Sequence, residues 1–122
     1  MEFLVISGMD VKPGKSRELQ EWVRANSAAL SANTPEGIEL VGIYATMFSS
    51  EKLTGHYRII WRLDSYGAMD RFAAAIPQNV ELARLLDELE AFTDNRLGAG
   101  TSNELLKSVA DTTIWGDFPD ED

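Results

Sequence analysis

Hydrophobic and polar positions follow two spacings along this chain, one typical of strands and one typical of helices. Apolar or alternating runs predict strands at 2–8, 38–48, 56–63 and 105–109. Apolar residues at helical spacing predict a first helix after Pro13, a second capped by Asp64 and Ser65, and a third ending near Gly98. The apolar stripes of the second and third helices are Met69, Phe72, Ala73 and Ile76, and Leu82, Leu85, Leu86, Leu89 and Phe92. The predicted order is β-α-β-β-α-α-β.

This order predicts an α+β, ferredoxin-like domain over residues 1–116. Such a domain has a four-stranded antiparallel sheet with helices on one face, and its first and third strands are central. Residues 117–122 are mostly acidic and are predicted to form a disordered tail.

The strand predicted at 56–63 has two chemically different faces, since successive side chains of a strand point to opposite sides. One face is wholly apolar and consists of Tyr57, Ile59, Trp61 and Leu63. The other carries the only histidine of the chain and two arginines, in the set His56, Arg58, Ile60 and Arg62. A solvated strand face normally carries threonine, lysine or glutamate. Histidine and arginine on this face therefore suggest anion binding or proton transfer.

The face of the sheet without helices is expected to expose Ile60, Tyr44 and Phe48 beside one apolar half of the first strand. That is more contiguous apolar surface than a monomer usually presents to water. The sequence therefore predicts a homodimer in which two such faces meet.

Composition narrows the partners and the compartment. Twenty acidic and eleven basic residues give a net charge of −9, which argues against nucleic acid and anionic membranes as partners. The absence of cysteine excludes disulfides and thiolate chemistry, and a single histidine makes a metal site unfavourable, so we expect no metal and no cofactor. No signal peptide or membrane-spanning run is visible, which predicts a cytoplasmic protein.

The chain resembles the dimeric α/β-barrel superfamily, in particular its NIPSNAP-like and antibiotic-biosynthesis-monooxygenase-like branches. The resemblance rests on the element order, the turn 11–15 before a Trp-bearing helix, and the strand-to-helix passage 61–66. It implies a ligand cavity between sheet and helices or within the barrel. Different members use this cavity for haem degradation, cofactor-free oxygenation, polyketide cyclisation or isomerisation. Where monooxygenase members typically carry an asparagine on the first strand, this chain has Ser7, and Trp61 is predicted to face the helices.

A candidate site follows from the register of the predicted hairpin. The apolar set Val41, Ile43, Ala45 and Met47 suits the helix side, which leaves Tyr44 and Thr46 on the other face. The predicted catalytic residues are His56, Tyr44 and Arg58, and the predicted substrate-binding residues are Ser7, Thr46, Ile60 and Arg62. An imidazole that transfers a proton and a guanidinium that holds an oxyanion suit a cyclase, isomerase or decarboxylase acting on a small aromatic or polyketide-like acid.

Two alternatives remain open. In the first, the same face only builds the dimer of a non-catalytic binding or assembly module, with Arg58 and Arg62 paired to acids and Tyr44 serving as a packing aromatic. In the second, the protein is a monooxygenase or handles haem, for which His56 is the available axial ligand.

Overall fold

A computed structural model describes residues 2–48, 50, 57–94 and 101–108 of the chain. Within these ranges the elements are β1 (Phe3–Met9), α1 (Ser16–Ala32), β2 (Ile38–Ala45), β3 (Tyr57–Leu63), α2 (Ala68–Ala75), α3 (Val80–Glu90) and β4 (Thr101–Lys107). A short 3-10 helix, Ile76–Gln78, links α2 to α3. The predicted element order is confirmed.

The four strands form one antiparallel sheet in the order β2-β3-β1-β4. β1 and β3 therefore occupy the centre, as predicted, because the hairpin strand β3 and the last strand β4 both pair with β1. The α+β ferredoxin-like fold is confirmed.

The core lies between one face of the sheet and the helices. Its largest fully buried side chains are Leu19 and Leu30 of α1, Leu63 of β3, and Leu82 and Leu85 of α3. Each such side chain contributes roughly 1.5–3 kcal/mol by leaving water. Trp61 is buried here and meets the ring of Phe72 edge-on, with 4.9 Å between ring centroids. The prediction that Trp61 faces the helices is therefore confirmed.

β2 contains a β-bulge. Leu40 lies opposite Trp61 and Gly42 lies opposite Ile60, so Val41 is an extra residue with no position of its own in the ladder. The bulge places two apolar pairs on the helix side although their spacing in the sequence is uneven. These pairs are Ile38 with Leu40 and Ile43 with Ala45.

Several predicted element boundaries are wrong. β2 ends at Ala45 rather than Phe48, and Met47, expected to face the helices, is 92% exposed. α2 begins after Gly67, because the carboxylate of Asp64 is paired with Arg71 instead of capping the helix.

α3 ends at Glu90, well before Gly98. The chain leaves the helix there to pair with the segment after β1, through an isolated bridge between Val11 and Thr93 and a 2.9 Å bond from the Lys12 amide to the Phe92 carbonyl. The last strand also begins earlier than predicted, at Thr101.

Some predictions concern residues outside the described ranges. These are the placement of His56, the residue Val109 and the acidic tail at 117–122. Among the helices in the described ranges, none combines the length and apolar character needed to cross a bilayer.

Candidate functional site

The face of the sheet turned away from the helices, here called the open face, carries part of the predicted site. Tyr44 of β2 lies directly opposite Arg58 of β3, so these residues share this face as the predicted register required. Ile60 lies on the same face, between Gly42 and Ile6. Thr46 follows the end of β2 and is partly buried. His56 is outside the described residues, so the predicted trio is seen here as the pair Tyr44 and Arg58.

The ring of Tyr44 is folded back along its own strand. A methyl group added to Gly42 would lie 3.0 Å from the ring carbon Cζ and from the hydroxyl oxygen of Tyr44. The side chain remains 49% exposed. An aromatic ring covering a strand glycine is a recognised way of stabilising a sheet. This contact supports the packing interpretation of Tyr44.

Arg62 lies at the other end of β3 and is held by two carboxylates. Its Nε donates to Glu2 at 2.9 Å and its Nη1 donates to Glu39 at 2.7 Å. These hydrogen bonds, with Glu2 first and Glu39 second, raise the pKa of the guanidinium above its usual value. Arg62 therefore joins β3 to β2 and to the residue before β1, apart from the pair of Tyr44 and Arg58.

Ser7 lies on the opposite side of the sheet from that pair. It is paired with Ile59, whose side chain is buried toward the helices, whereas Gly8 is the β1 residue opposite Arg58. The expectation that Ser7 joins Tyr44 and Arg58 around one cavity is therefore wrong. Its hydroxyl instead donates a 2.6 Å hydrogen bond to Oδ1 of Asn103, its neighbour on β4.

Ser7 and Asn103 line a cleft of about 290 Å³ between the helix-facing side of the sheet and helices α2 and α3. Most of the wall is apolar and is formed by Met9, Ile59, Trp61, Met69, Phe72, Leu86 and Leu89. The other polar side chains that line it are Glu90 and Thr93. An apolar cleft with a few polar groups is the usual form of a small-molecule site.

Three of the polar residues of this cleft were not predicted as site residues. Asn103 lies before the predicted start of the last strand, and Glu90 and Thr93 lie within the overlong third helix. Thr93 is 3% exposed, although it follows the helix. An asparagine next to a predicted strand was the one available signal, since asparagine is depleted in strands and is found there mainly for a specific reason.

A second, larger depression of about 400 Å³ lies at the other end of the sheet and is less convincing as a site. Its charged lining residues are Glu2, Glu39, Arg62 and Asp64. Arg62 is bound by both glutamates, and Asp64 accepts a 2.8 Å hydrogen bond from Arg71, which lowers the pKa of that carboxyl. These charges already have partners within the chain. Among the described residues, no group of three possible metal ligands is close enough to hold an ion.

Comparisons with known proteins agree with this architecture. No protein-family model and no curated protein sequence matches the chain. Several solved structures are similar to it. A NIPSNAP family protein from Agrobacterium tumefaciens superimposes with a TM-score of 0.68 at 13% identity, over 91% of this chain and 89% of its own. A NIPSNAP-like domain protein from Burkholderia xenovorans gives 0.65 at 13% identity, over 93% and 90%.

A candidate antibiotic biosynthesis monooxygenase from Caulobacter crescentus gives a TM-score of 0.61 at 16% identity, over 88% of this chain and 90% of its own. At these identities the similarity concerns the fold. This chain therefore shares the ferredoxin-like α+β fold of NIPSNAP and antibiotic biosynthesis monooxygenase-like proteins.

Proposed function

We propose that this protein binds a small, largely apolar organic molecule in the cleft between its sheet and its helices, and that it does so as a homodimer. The observation that carries the proposal is the cleft itself. Its walls are the side chains of Trp61, Phe72 and Leu86, which a ligand would cover, while its polar groups are few.

The volume limits the ligand. At the packing density of a protein interior, about 0.74, a space of about 290 Å³ holds roughly a dozen non-hydrogen atoms. Two fused six-membered rings with one substituent are of this size. The aromatic walls supplied by Trp61 and Phe72 favour a flat ring system over a flexible chain.

The open face supports the dimeric part of the proposal. Leu4, Ile6 and Ile60 form an apolar centre on the strands β1 and β3, and Tyr44 and Leu106 extend it on the two edge strands. No helix in the described ranges covers this face, since the core lies on the other side of the sheet. A second copy of the chain is the simplest partner, because a two-fold symmetric contact joins the same surface of both subunits.

A second candidate function is cofactor-independent acid/base catalysis on the open face, of the cyclase, isomerase or decarboxylase kind. The observation that favours it is the direct opposition of Tyr44 and Arg58. A phenol and a guanidinium on neighbouring strands could bind an oxyanion if a second copy enclosed them. The ligand would then be a small aromatic acid held between two sheets rather than a molecule under the helices.

One titration separates the two functions. Isothermal titration calorimetry would measure binding of tetralin, 1-tetralone and 1,2,3,4-tetrahydro-1-naphthoate, three bicyclic probes of matched size. The substitution Leu86→Trp fills the cleft, and its matched control Val80→Trp adds the same side chain at an exposed position of α3 outside the cleft and the open face.

We expect Leu86→Trp to abolish binding of tetralin and 1-tetralone, and Val80→Trp to leave both dissociation constants within about twofold. Binding that survives Leu86→Trp would contradict the cleft as the site. Binding of the acid alone, lost on Arg58→Leu, would favour the open face. No binding of any probe to the wild-type protein would contradict both functions.

A further inference from the structure

The polar end of the cleft has a defined hydrogen-bonding character. Ser7 and Asn103 lie directly opposite each other on β1 and β4, and both line the cleft. The hydroxyl of Ser7 donates to Oδ1 of Asn103 at 2.6 Å. This hydrogen bond engages the oxygen of the Asn103 carboxamide and not its NH₂ group.

We propose that Asn103, oriented by Ser7, is the specificity-determining residue of this cleft and selects ligands that carry a neutral carbonyl oxygen. The inference rests on the proposed function, because it assigns the ligand class of the same cleft. An asparagine side chain has one carbonyl acceptor and two N–H donors. With its oxygen engaged by Ser7, Asn103 has its N–H groups to offer a ligand, and these require an acceptor atom.

The rest of the lining sharpens this preference. Much of the remaining lining is apolar, including Ile59, Trp61 and Leu89, so few other groups can bind a ligand's polar end. A ligand without an acceptor would displace the water bound to the N–H groups of Asn103 without replacing its hydrogen bonds. The loss of these hydrogen bonds reduces affinity.

Charge excludes the other simple acceptor, a carboxylate. Glu90 lines the same cleft, and the whole chain carries a net charge of −9. A carboxylate bound beside Glu90 would add a second negative charge to the same lining, which is unfavourable. A ketone, lactone or amide oxygen accepts the same hydrogen bond without this repulsion.

The experiment compares 1-tetralone, tetralin and 1,2,3,4-tetrahydro-1-naphthoate by calorimetry, at the same ionic strength. These probes differ in one group, so the ratio of their dissociation constants isolates the polar end. We expect the ketone to bind about fivefold to tenfold more tightly than tetralin, as one net hydrogen bond supplies. The carboxylate should bind more weakly than either.

Three variants locate the effect. Asn103→Leu should weaken 1-tetralone to the affinity of tetralin and leave tetralin unchanged, which a merely structural role of Asn103 would not do. Ser7→Ala should lower the ketone preference partly, and Ser7→Thr, which keeps the hydroxyl, should restore it. The matched control is Gln78→Leu, a polar-to-leucine change at an exposed position outside the cleft and the open face. Its ratio of tetralin to 1-tetralone dissociation constants should equal that of the wild type.

The outcomes are distinct. Equal binding of ketone and hydrocarbon to the wild type, or an equal loss of both on Asn103→Leu, overturns the role of Asn103 while leaving the cleft as a binding site. Carboxylate binding tighter than ketone binding overturns the selection for a neutral ligand. If no probe binds to the wild-type protein, the proposed function fails and this inference fails with it.

Discussion

Gly37 and Gly14 both have positive φ, at 87° and 79°, but their surroundings differ completely. A Cβ on Gly37 would overlap the carboxylate of Asp64 and the guanidinium of Arg71, which form an ion pair there. The same atom on Gly14 would have nothing within 4 Å. The two glycines therefore separate the cost of a left-handed backbone from the cost of a steric overlap.

We expect Gly14→Ala to lower the free energy of unfolding by about 1 kcal/mol, and Gly37→Ala to lower it further. The first substitution meets only backbone strain, whereas the second also displaces Asp64 and Arg71 from each other. Urea denaturation of both variants measures the difference. Equal losses would show that the side chains of Asp64 and Arg71 move aside at no cost.

The sequence could not place Ser7, and the reason is physical. β1 has apolar residues on both faces, Phe3 and Val5 toward the helices and Leu4 and Ile6 on the open face. β1 therefore lacks the alternation of apolar and polar residues that shows which face of a strand is buried. For this reason the sequence does not show on which face of the sheet Ser7 lies. Tyr44 was placed correctly because Ile43 and Ala45 have apolar side chains of a kind that suits the helices.

At the scale of elements, α1 and α3 are joined by a small polar network. The indole Nε1 of Trp22 donates to Glu88 at 2.8 Å, and Arg84 donates to Glu88 at 2.6 Å and to Glu81 at 2.6 Å. The hydrogen bond from Trp22, followed by that from Arg84, lowers the pKa of the Glu88 carboxyl below its ordinary value of 4.5. Arg84 likewise lowers the pKa of Glu81.

This shift predicts how stability depends on pH. A carboxyl with a lowered pKa in the folded state stabilises the fold fully above its unfolded-state pKa, here 4.5, and loses that contribution as the pH falls through the folded-state pKa. We therefore expect the free energy of unfolding to fall as the pH is lowered from about 5 to about 3. Glu88→Gln should make this fall shallower.

The matched control is Asp87→Asn, a neighbouring and exposed carboxylate of α3. Guanidinium denaturation at a series of pH values would compare the slopes. A Glu88→Gln slope as steep as that of the wild type would show that the contact with Trp22 does not persist in solution.

Helix starts show where local signals suffice and where they fail. The cap of α3 is Asn79, whose side-chain oxygen accepts from the Leu82 amide at 3.0 Å, in the manner typical of a capping residue. Asp64 and Ser65 are equally good capping types, yet both bind Arg71. That arginine lies one turn into α2 and reaches back, a competition that residue preferences alone do not reveal.

At the scale of the whole molecule, the open face is the surface through which the proposed homodimer would form. Its apolar centre of Leu4, Ile6 and Ile60 is only half-buried, and Leu106 at its edge is 44% exposed. Water contact with such a surface is unfavourable, and pairing two copies removes it.

We expect Ile6→Glu to convert a dimer into a monomer, because it puts a charge at the centre of the contact. Sedimentation equilibrium would show the wild type at twice the mass of one chain and the variant at the mass of one. Ala73→Glu, at an exposed position of α2, is the control and should remain dimeric. A monomeric wild type would contradict the dimer.

The sequence was sufficient for the topology but not for the cleft. The element order specifies which strands can pair, and those pairings are the observed ones. The cleft, in contrast, arises where Ser7 meets Asn103, residues far apart in the chain, and where the chain leaves α3 early so that Thr93 can pair with Val11. Contacts between residues that are far apart in the sequence depend on packing and leave no local sequence pattern.

The bulge at Val41 changes which residues of β2 face the helices. Before it the even-numbered residues Ile38 and Leu40 face the helices, and after it the odd-numbered residues Ile43 and Ala45 do so. Removing Val41 would therefore leave every other side chain of β2 on its present face. Removing Gly42 or Ile43 instead would also restore regular alternation and keep Tyr44 on the open face, but Val41 would then take a place in the ladder opposite Ile60. Between Leu40 and Tyr44 this strand can therefore lose one residue while Tyr44 keeps its place opposite Arg58.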